Sequence, residues 1–537
     1  MSADLPWYHT TTIYQIYPRS FFDTNADGLG DIQGIIAKLD YIQSIGYETI
    51  WCSPFFSSAN VDFGYDITDY TDIDPLAGTM NDAMQLIEEV HKRGMKIVLD
   101  MVMNHTSDQH PWFIESSSSR DNPKADWYIW RDRPTNWYSM TGGTGWRYSK
   151  ARDQYCWASF LPFQPDLNYR NPDVKKTMLD NVRFWLDKNI DGFRLDIFNV
   201  IYKDAAFRDN PFKWKIFPSE SDPSSFFQEA KYSINQPDTA GFARELRAVC
   251  DQYGTKMLLG EVFGDRKAIR KFTGAEKNDG LGLVFDFEML PFRFSSAYFH
   301  TLIHNLETDF PYPFMPVYVF SNHDRRRSIR RIGDDIRKAK VLHLMQLTVR
   351  GVPCMYMGEE IGMTDARYPY ATSLDPIGQK YKSVPRIIFD LAGETMNRDE
   401  IRTPMQWDGS RNAGFSAADS TWLPLHENFK EVNAERSVKD GNSLLHLVTD
   451  VLHIRQSSPA IRSGSLALLS SLPDGILAYK RIYEGEEILV VLNFKEQKRE
   501  FRLPFGGRKY FSINKDDTMN EGMCSLSGFG GMILSLD

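Results

Sequence analysis

The chain has 537 residues, 42% of them hydrophobic and 13% aromatic, and a formal net charge of −9. That length exceeds one simple domain. The negative balance argues against nucleic acid or an anionic membrane surface as a partner, and no stretch approaches the roughly 20 apolar residues of a membrane span. The N-terminal "MSADLPWYHTTTIYQIYP" has no basic start followed by an apolar core, so no signal peptide is read. Cys52, Cys156, Cys250, Cys354 and Cys524 are scattered without a CxxC pair. Free thiols in a reducing compartment, and hence a cytoplasmic location, are expected.

In chain order, eight short β-branched and aromatic runs recur: "IYQIYP" (13–18), "ETIWCSP" (48–54), "IVLDMVMNH" (97–105), "GFRLDI" (192–197), "KMLLGEV" (256–262), "LGLVFDFEM" (281–289), "PVYVFSNHD" (316–324) and "VPCMYMGEE" (352–360). Their interiors are continuously apolar, as in parallel strands buried on both faces. Helical patterns separate most of them. Ile35, Leu39 and Ile42 share one face between Asp31 and Gly46. Ala83, Ile87 and Val90 share another, closed by Lys92, Arg93 and Gly94. Val174, Met178, Val182 and Leu186 follow "NPD". The link between the fifth and sixth runs is less well patterned. Alternation of this kind predicts an α/β fold, a (β/α)8 TIM barrel.

Three segments exceed a bare barrel. Residues 106–173, after strand three, hold six of the twelve tryptophans and are too long for a simple loop, so they are expected to form an inserted subdomain. The tryptophans there are read first as its core. Further insertions fall near 201–237 and 364–415, and all three leave the same end of the barrel. From about 460 the runs shorten and alternate ("LALLSS", "ILAYKRIY", "EEILVVLNF", "REFRLPF", "MILSL"), which predicts a C-terminal antiparallel β-domain. The expected division is 1–105 and 174–459 for the barrel, 106–173 for the inserted subdomain and 460–537 for the β-domain.

"GFRLDIFN" (192–199) places Arg194 and Asp196 inside an apolar run. Isolated buried charges are costly, so they are expected to be paired or used. Residues two apart share a strand face, which sets both charges opposite Phe193 and Leu195. Asp100, Asn104 and His105 close strand three, Glu261 closes strand five, and Asn322, His323 and Asp324 close strand seven. Singly, each reads equally well as a structural feature, a buried ion pair or a cap, and as a functional group. Together they ring the end of the barrel where such folds keep their chemistry.

The motifs "DMVMNH", "GFRLDIFN", "GEVFG" and "FSNHD", in this order, resemble glycoside hydrolase family 13, the α-amylase family, across nearly the whole chain. "QPDLNY" (164–169) and "RTPMQW" (402–407) narrow the resemblance to the branch of α-glucosidases and oligo-1,6-glucosidases. The resemblance implies Asp196 as nucleophile, Glu261 as general acid/base and Asp324 as the third carboxylate. It implies His105 and His323 as donors to sugar hydroxyls, with Arg194 holding Asp196. A retaining glycosidase needs two carboxyls about 5–5.5 Å apart, one ionised and one protonated. A neighbouring guanidinium favours ionised Asp196, and the apolar setting of Glu261, beside Val262 and Phe263, favours its protonated form. The resemblance also implies that Asp62 and Tyr65 of "DFGYD" (62–66) contact the non-reducing glucose and that Arg402 pairs with Asp62 at the pocket floor, with Phe160 expected as a second apolar wall. For Tyr65 and Phe160 the plain alternative is core packing. A closed floor implies exo-action on a small oligosaccharide or disaccharide, by a monomer or homodimer.

In this branch valine after the nucleophile accompanies α-1,6 preference, and threonine or alanine α-1,4. The chain has Ile197, closer to valine, which leans to isomaltose-like substrates. A regular strand would turn Ile197 away from the pocket, so the strand has to end or bend there. Arg325, Arg326, Arg327, Arg330 and Arg331 exceed the branch's usual number. They are read as pairing with nearby acids, or as shaping an acceptor site for a phosphorylated or sucrose-like substrate.

In "DTNADGLGD" (23–31), Asp23, Asn25, Asp27 and Asp31, with the Leu29 carbonyl, offer oxygens at alternating positions. Position twelve is Gly34, which excludes an EF-hand. The resemblance implies a structural Ca²⁺, or Mg²⁺, in this loop and no catalytic cofactor. The plain alternative is an Asx-rich turn capping a helix. Two other readings share the motifs. One is a transglucosylase or isomerase acting on sucrose or maltose. The other, a catalytically dead binding relative, conflicts with the presence of all three acids.

Overall fold

Eight parallel strands surround a closed core. In the computed structural model, which describes residues 5–216, 218–219, 221–274, 277–391 and 395–536, they are β1 (Ile13–Ile16), β2 (Thr49–Cys52), β3 (Lys96–Met101), β4 (Gly192–Leu195), β5 (Met257–Gly260), β6 (Leu283–Val284), β7 (Val317–Val319) and β8 (Val352–Tyr356). Neighbours run β6-β5-β4-β3-β2-β1-β8-β7, and a parallel bridge between Phe285 and Val317 joins the two ends. Every predicted strand is present, and the barrel forms as expected.

The two-residue period of each strand divides its side chains. Ile13, Trp51, Val98, Met257, Leu259, Val317, Val352 and Cys354 fill the barrel interior. Tyr14, Ile50, Ile97, Leu99, Phe193 and Leu195 pack outward against the helices. Both faces are dry, which is why the runs read as continuously apolar.

The helices follow the caps read from sequence, with one difference. The first pattern is two helices, Ile32–Ala37 and Leu39–Ile45, broken at Lys38, whose ψ of 6° leaves the helical region. Asp31 caps the first by accepting from the Gly34 N–H, and Gly46, at φ 105°, ends the second. Thr79 and Asp82 form a capping box on Met80–Lys92, and Asn171 caps Pro172–Asp187. Between β5 and β6 the described residues form only the short helix Arg266–Arg270, as the weak patterning there suggests.

After β3 comes helix Pro111–Ser118 and a small antiparallel sheet of Trp130–Arg131, Gln154–Trp157 and Trp146–Ser149. Trp137, Trp146 and Trp157 with Ile129 make its core, as the sequence suggests. The other two insertions reach it. Asn136 Nδ2 donates to the Asn210 carbonyl (2.8 Å), and Tyr381 Oη donates to the Thr141 carbonyl (2.6 Å). The three insertions therefore meet over the C-terminal ends of the strands.

Beyond the barrel, Ser465–Leu468, Ile476–Tyr483, Glu486–Asn493, Gly531–Ser535 and Arg508–Ser512 form one antiparallel sheet. Arg499–Arg502, Met523–Leu526 and Thr518–Asn520 form a second. Of these, 508–512, 518–520 and 523–526 were not read from sequence: the first two are short and largely exposed, and the third is a short run in which only Cys524 and Leu526 are buried.

Candidate active site

Toward the C-terminal end of the barrel the inward positions turn polar. β1 passes from Ile13 to Gln15, β3 from Val98 to Asp100, and the inner face of β4 presents Arg194. Arg194 is fully buried. Its Nη1 donates to Asp100 Oδ1 at 2.8 Å and to Asp196 Oδ1 at 2.9 Å, and its Nη2 pairs with Glu261. The guanidinium carbon lies 5.0 Å from the centroid of the Trp51 ring. One buried cation thus joins three carboxylates from strands three, four and five, which accounts for the charges inside "GFRLDIFN".

Asp196 lies one residue past β4, its N–H on the Met101 carbonyl at 3.2 Å. Ile197 is left-handed, at φ 33° and ψ 45°. A β-branched residue rarely adopts this conformation, and such strain costs of order 1–3 kcal/mol. The turn aims the Ile197 N–H at Glu261 Oε2, 3.3 Å away. It also moves the Ile197 side chain into a cluster with Val200, Ile234, Phe160 and Phe263. The strand ends before Ile197, as the linkage argument for that residue needs.

Asp196 and Glu261 occupy neighbouring nitrogens of one guanidinium. Burial raises the Asp196 carboxyl well above the usual carboxylate range. Arg194 opposes this, and the charges of Glu261 and Asp100 add to it. Arg194 favours the ionised form of Asp196, as expected, but it is shared among three acids in a dry site and burial works against it. Burial also works against ionisation of Asp324, but His323, Arg398 and Arg402 outweigh it and hold that carboxyl far below its ordinary value. The Asp324 side chain is 30% exposed, so it keeps an open face.

The expected pairing of Arg402 with Asp62 does not occur. Arg398 Nη2 lies 2.5 Å from Asp62 Oδ1, and Arg398 also reaches Asp324 (3.1 Å) and Asp375 (2.6 Å). Arg402 instead pairs with Asp324 (2.5 Å) and donates from Nε to the His323 carbonyl (2.9 Å). The short helix Arg398–Glu400 places the two guanidiniums one turn apart, and each takes the acids on its own side. Sequence reading missed Arg398 and Asp375. The four-residue spacing of arginines in "RDEIR" is the signal that was there.

The aromatic and imidazole groups are more internally bonded than expected. Tyr65 is 5% exposed, stacks on His323 (5.3 Å, 3°), and its hydroxyl meets His323 Nε2 (2.7 Å) and Asp100 Oδ2 (3.1 Å). His323 Nδ1 accepts from Gln15 Nε2 at 2.7 Å. His105 places Nε2 on the Tyr65 carbonyl (3.1 Å) and Nδ1 beside Asn104 Nδ2 (3.3 Å). Burial keeps both imidazoles neutral, His105 at about 4. Both ring nitrogens of His105 have protein partners, and Nε2 rests on the Tyr65 backbone carbonyl. Phe160 is half-buried on the Ile197 cluster. Gln164 of "QPDLNY" donates to Asp62 Oδ2 (3.0 Å), which ties the inserted subdomain to the floor.

The arginines after Asp324 have structural partners. Arg326 pairs with Asp390 (2.8 Å) and Arg330 with Asp334 (2.5 Å). Arg327 is buried, donating to the carbonyls of Met357 (2.8 Å) and Ile401 (3.2 Å). In the 23–31 loop, Asp23 Oδ1 accepts from the N–H groups of Asn25 and Ala26, Asn25 Oδ1 from Asp27, and Asp27 Oδ1 from Leu29. Asp31 holds Thr24 and the Gly34 N–H. Among the described residues, no three His, Cys, Asp or Glu side chains converge as a metal-binding group. The donors along the loop are all oxygens, the kind a hard divalent cation takes.

Fold and site together define a (β/α)8 barrel with a three-carboxylate centre at the C-terminal end of its strands. Residues 15–464 match the family "Alpha amylase, catalytic domain", and residues 466–522 match "Maltogenic Amylase, C-terminal domain". The chain belongs to the α-amylase family. It is 37% identical over 534 residues to an oligo-1,6-glucosidase of Parageobacillus thermoglucosidasius, covering 93% of this chain and 92% of that protein. Its structure superimposes on an alpha-glucosyl transfer enzyme, XgtA, with TM-score 0.91 and 35% identity, covering 99% and 100% of the two chains. It also superimposes on an isomaltulose synthase variant of Erwinia rhapontici NX5 bound to its natural substrate sucrose, with TM-score 0.90 and 31% identity over the whole of both chains.

Proposed function

We propose that the protein is a retaining, exo-acting α-glucosidase that releases glucose from the non-reducing end of short α-glucosides, through a covalent glucosyl-enzyme. The observation that carries this reading is Arg194 holding Asp196 and Glu261 side by side while Asp324, on its own arginines, keeps an open face. Adjacent carboxyls suit double displacement. Asp196 attacks the anomeric carbon as the glycosidic C–O bond breaks, and Glu261 gives its proton to the departing oxygen. Glu261 then takes a proton from water, whose oxygen attacks the same carbon and frees Asp196. Asp324, ionised throughout, accepts hydrogen bonds from glucose hydroxyls that strengthen as the ring flattens. Asp62, held by Arg398 and Gln164, closes the pocket behind the non-reducing glucose, so one sugar is removed at a time.

Ile197 supports a preference for α-1,6 linkages, since its left-handed turn sets a β-branched side chain against Phe160 and Phe263. A second reading, transglucosylation or isomerisation of sucrose or maltose, is favoured by the whole-chain likeness to the isomaltulose synthase. It uses the same glucosyl-enzyme and differs in the acceptor admitted. Incubation with isomaltose, maltose and sucrose, with product analysis, separates the two. Glucose as the first product supports hydrolysis, and rearranged disaccharides support the second reading.

A structural Ca²⁺, or Mg²⁺, held by Asp23, Asn25, Asp27, the Leu29 carbonyl and Asp31 completes the proposal. It would pin the loop after β1 and takes no part in bond cleavage. All five cysteines are free and buried, which supports a reducing, cytoplasmic setting. Among the described residues no helix is long and apolar enough to cross a membrane.

A further inference from the structure

Behind the site lies a second buried charge pair with no part in the chemistry above. Lys203, 3% exposed, follows β4, and its ammonium pairs with Asp166 of "QPDLNY" and donates to Asn104 Oδ1 at 2.8 Å. Asp166 in turn accepts from the Ser159 N–H (2.8 Å), next to Phe160, and Leu167 N–H donates to the Asn104 carbonyl (2.9 Å). Lys203 therefore stitches the inserted subdomain to the end of β3. We propose that Lys203 is a positioning residue that fixes the tautomer of His105 through Asn104, and so sets the height of the Tyr65–Asp62 floor.

The donor and acceptor inventory leaves one arrangement. A lysine ammonium only donates, so the Asn104 atom facing it is the carbonyl oxygen. The amide's other end, Nδ2, then faces His105 Nδ1 at 3.3 Å and donates to it. His105 Nδ1 is an acceptor, and the ring proton sits on Nε2. From there it is donated to the Tyr65 carbonyl at 3.1 Å, a group that only accepts. Both ends of the chain demand the same tautomer. The Tyr65 carbonyl also accepts from Gln164 Nε2 (3.3 Å), the same nitrogen that donates to Asp62 Oδ2 (3.0 Å). The relay Lys203–Asn104–His105–Tyr65–Gln164–Asp62 is unbroken and buried. Without Lys203, the Asn104 amide is free to turn over and present an oxygen to Nδ1. His105 would then move its proton to Nδ1, the donor to Tyr65 would be lost, and the floor would loosen.

The kinetic part of the test rests on the α-glucosidase reading, and the spectroscopic part does not. Wild-type protein labelled with ¹⁵N-histidine is compared with Lys203→Met, the His105 signals being those missing from His105→Gln. Wild-type His105 is expected to show the Nε2–H tautomer with Nδ1 unprotonated, and Lys203→Met to lose that single-tautomer signature. On p-nitrophenyl α-glucoside, kcat/KM of Lys203→Met is expected to fall between about tenfold and a hundredfold, with most of the change in KM. Asn104→Asp serves if Lys203→Met does not fold. It keeps a partner for Lys203 and sets an acceptor against Nδ1, so His105 is expected to take up a proton there. An unchanged His105 signature in whichever variant folds, or wild-type kcat/KM in Lys203→Met, overturns the proposal. Absence of α-glucoside cleavage by the wild type overturns the functional reading and leaves the spectroscopic result standing.

Discussion

Arg398, and not Arg402, neutralises Asp62, with Nη2 and Oδ1 2.5 Å apart in a buried pair. The same guanidinium holds Asp375 and Asp324. Its removal therefore strands several carboxylates at once. Arg398→Met is expected to cut kcat/KM on α-glucosides by about a hundredfold or more and to cost about 3–5 kcal/mol of stability. Steady-state kinetics and denaturant unfolding check both. An unperturbed floor in Arg398→Met, with Arg402→Met the more damaging change to KM, would reverse the assignment.

Asp196→Ala is expected to retain the fold and lose hydrolysis by about 10⁴-fold or more. In the wild type, burial holds the Asp196 carboxyl above its ordinary range. Activity requires its ionised form, so the acid limb of the kcat/KM profile is expected above the ordinary aspartate value of about 4. A limb at or below that value contradicts the burial argument.

Glu360 offers a stability switch away from the site. Its Oε1 accepts from the hydroxyls of Tyr14 and Tyr41, both at 2.9 Å, and burial raises its carboxyl to about 7. A raised acid stabilises the fold while protonated, and that contribution is lost as pH rises from the unfolded value through about 7. Glu360→Gln keeps the acceptor and cannot ionise. Its gain in stability over wild type is expected to be near zero below pH about 4.5 and to grow through neutrality to about 3 kcal/mol. Thermal unfolding across that range decides it, and a gain that is flat with pH argues against the assignment.

Ile197 controls the leaving-group side in this reading. Ile197→Val is expected to keep or raise the ratio of isomaltose to maltose hydrolysis, and Ile197→Thr to lower it, by roughly threefold to tenfold. Equal ratios in all three proteins would remove Ile197 from linkage choice.

For the loop at 23–31, chelation is expected to lower Tm by several degrees while leaving kcat of the folded enzyme nearly unchanged, since the proposed ion would pin a loop remote from bond cleavage. Asp27→Ala is expected to unfold at the same temperature with and without chelator. Metal analysis of the purified protein provides the direct check.

The strand windows, the helix caps at Asp31, Thr79 and Asn171, and the carboxylates at the strand ends were all legible in the residue order. They express local rules: a period of two on a twice-buried strand, oxygen caps on free N–H groups, and charge where an apolar run stops. The short strands of residues 508–526 were not legible, because each is brief and apolar burial in them is confined mainly to Cys524 and Leu526. The break at Lys38 escaped for a related reason, since the apolar stripe continues across it.

The sequence by itself determined the barrel and the charged and polar residues that close its strands, because these follow from periodicity and the cost of a buried charge, while the roles of Asp196, Glu261 and Asp324 rest on the resemblance that its motifs carry. Only the tertiary structure decided how the charges are shared. Arg398 rather than Arg402 takes Asp62, Arg194 divides itself among three acids, and His105 faces Tyr65. Apart from Arg194–Asp196, these pairings join residues tens to hundreds of positions apart, and in a dry interior a change of a few ångströms decides which partner a guanidinium satisfies.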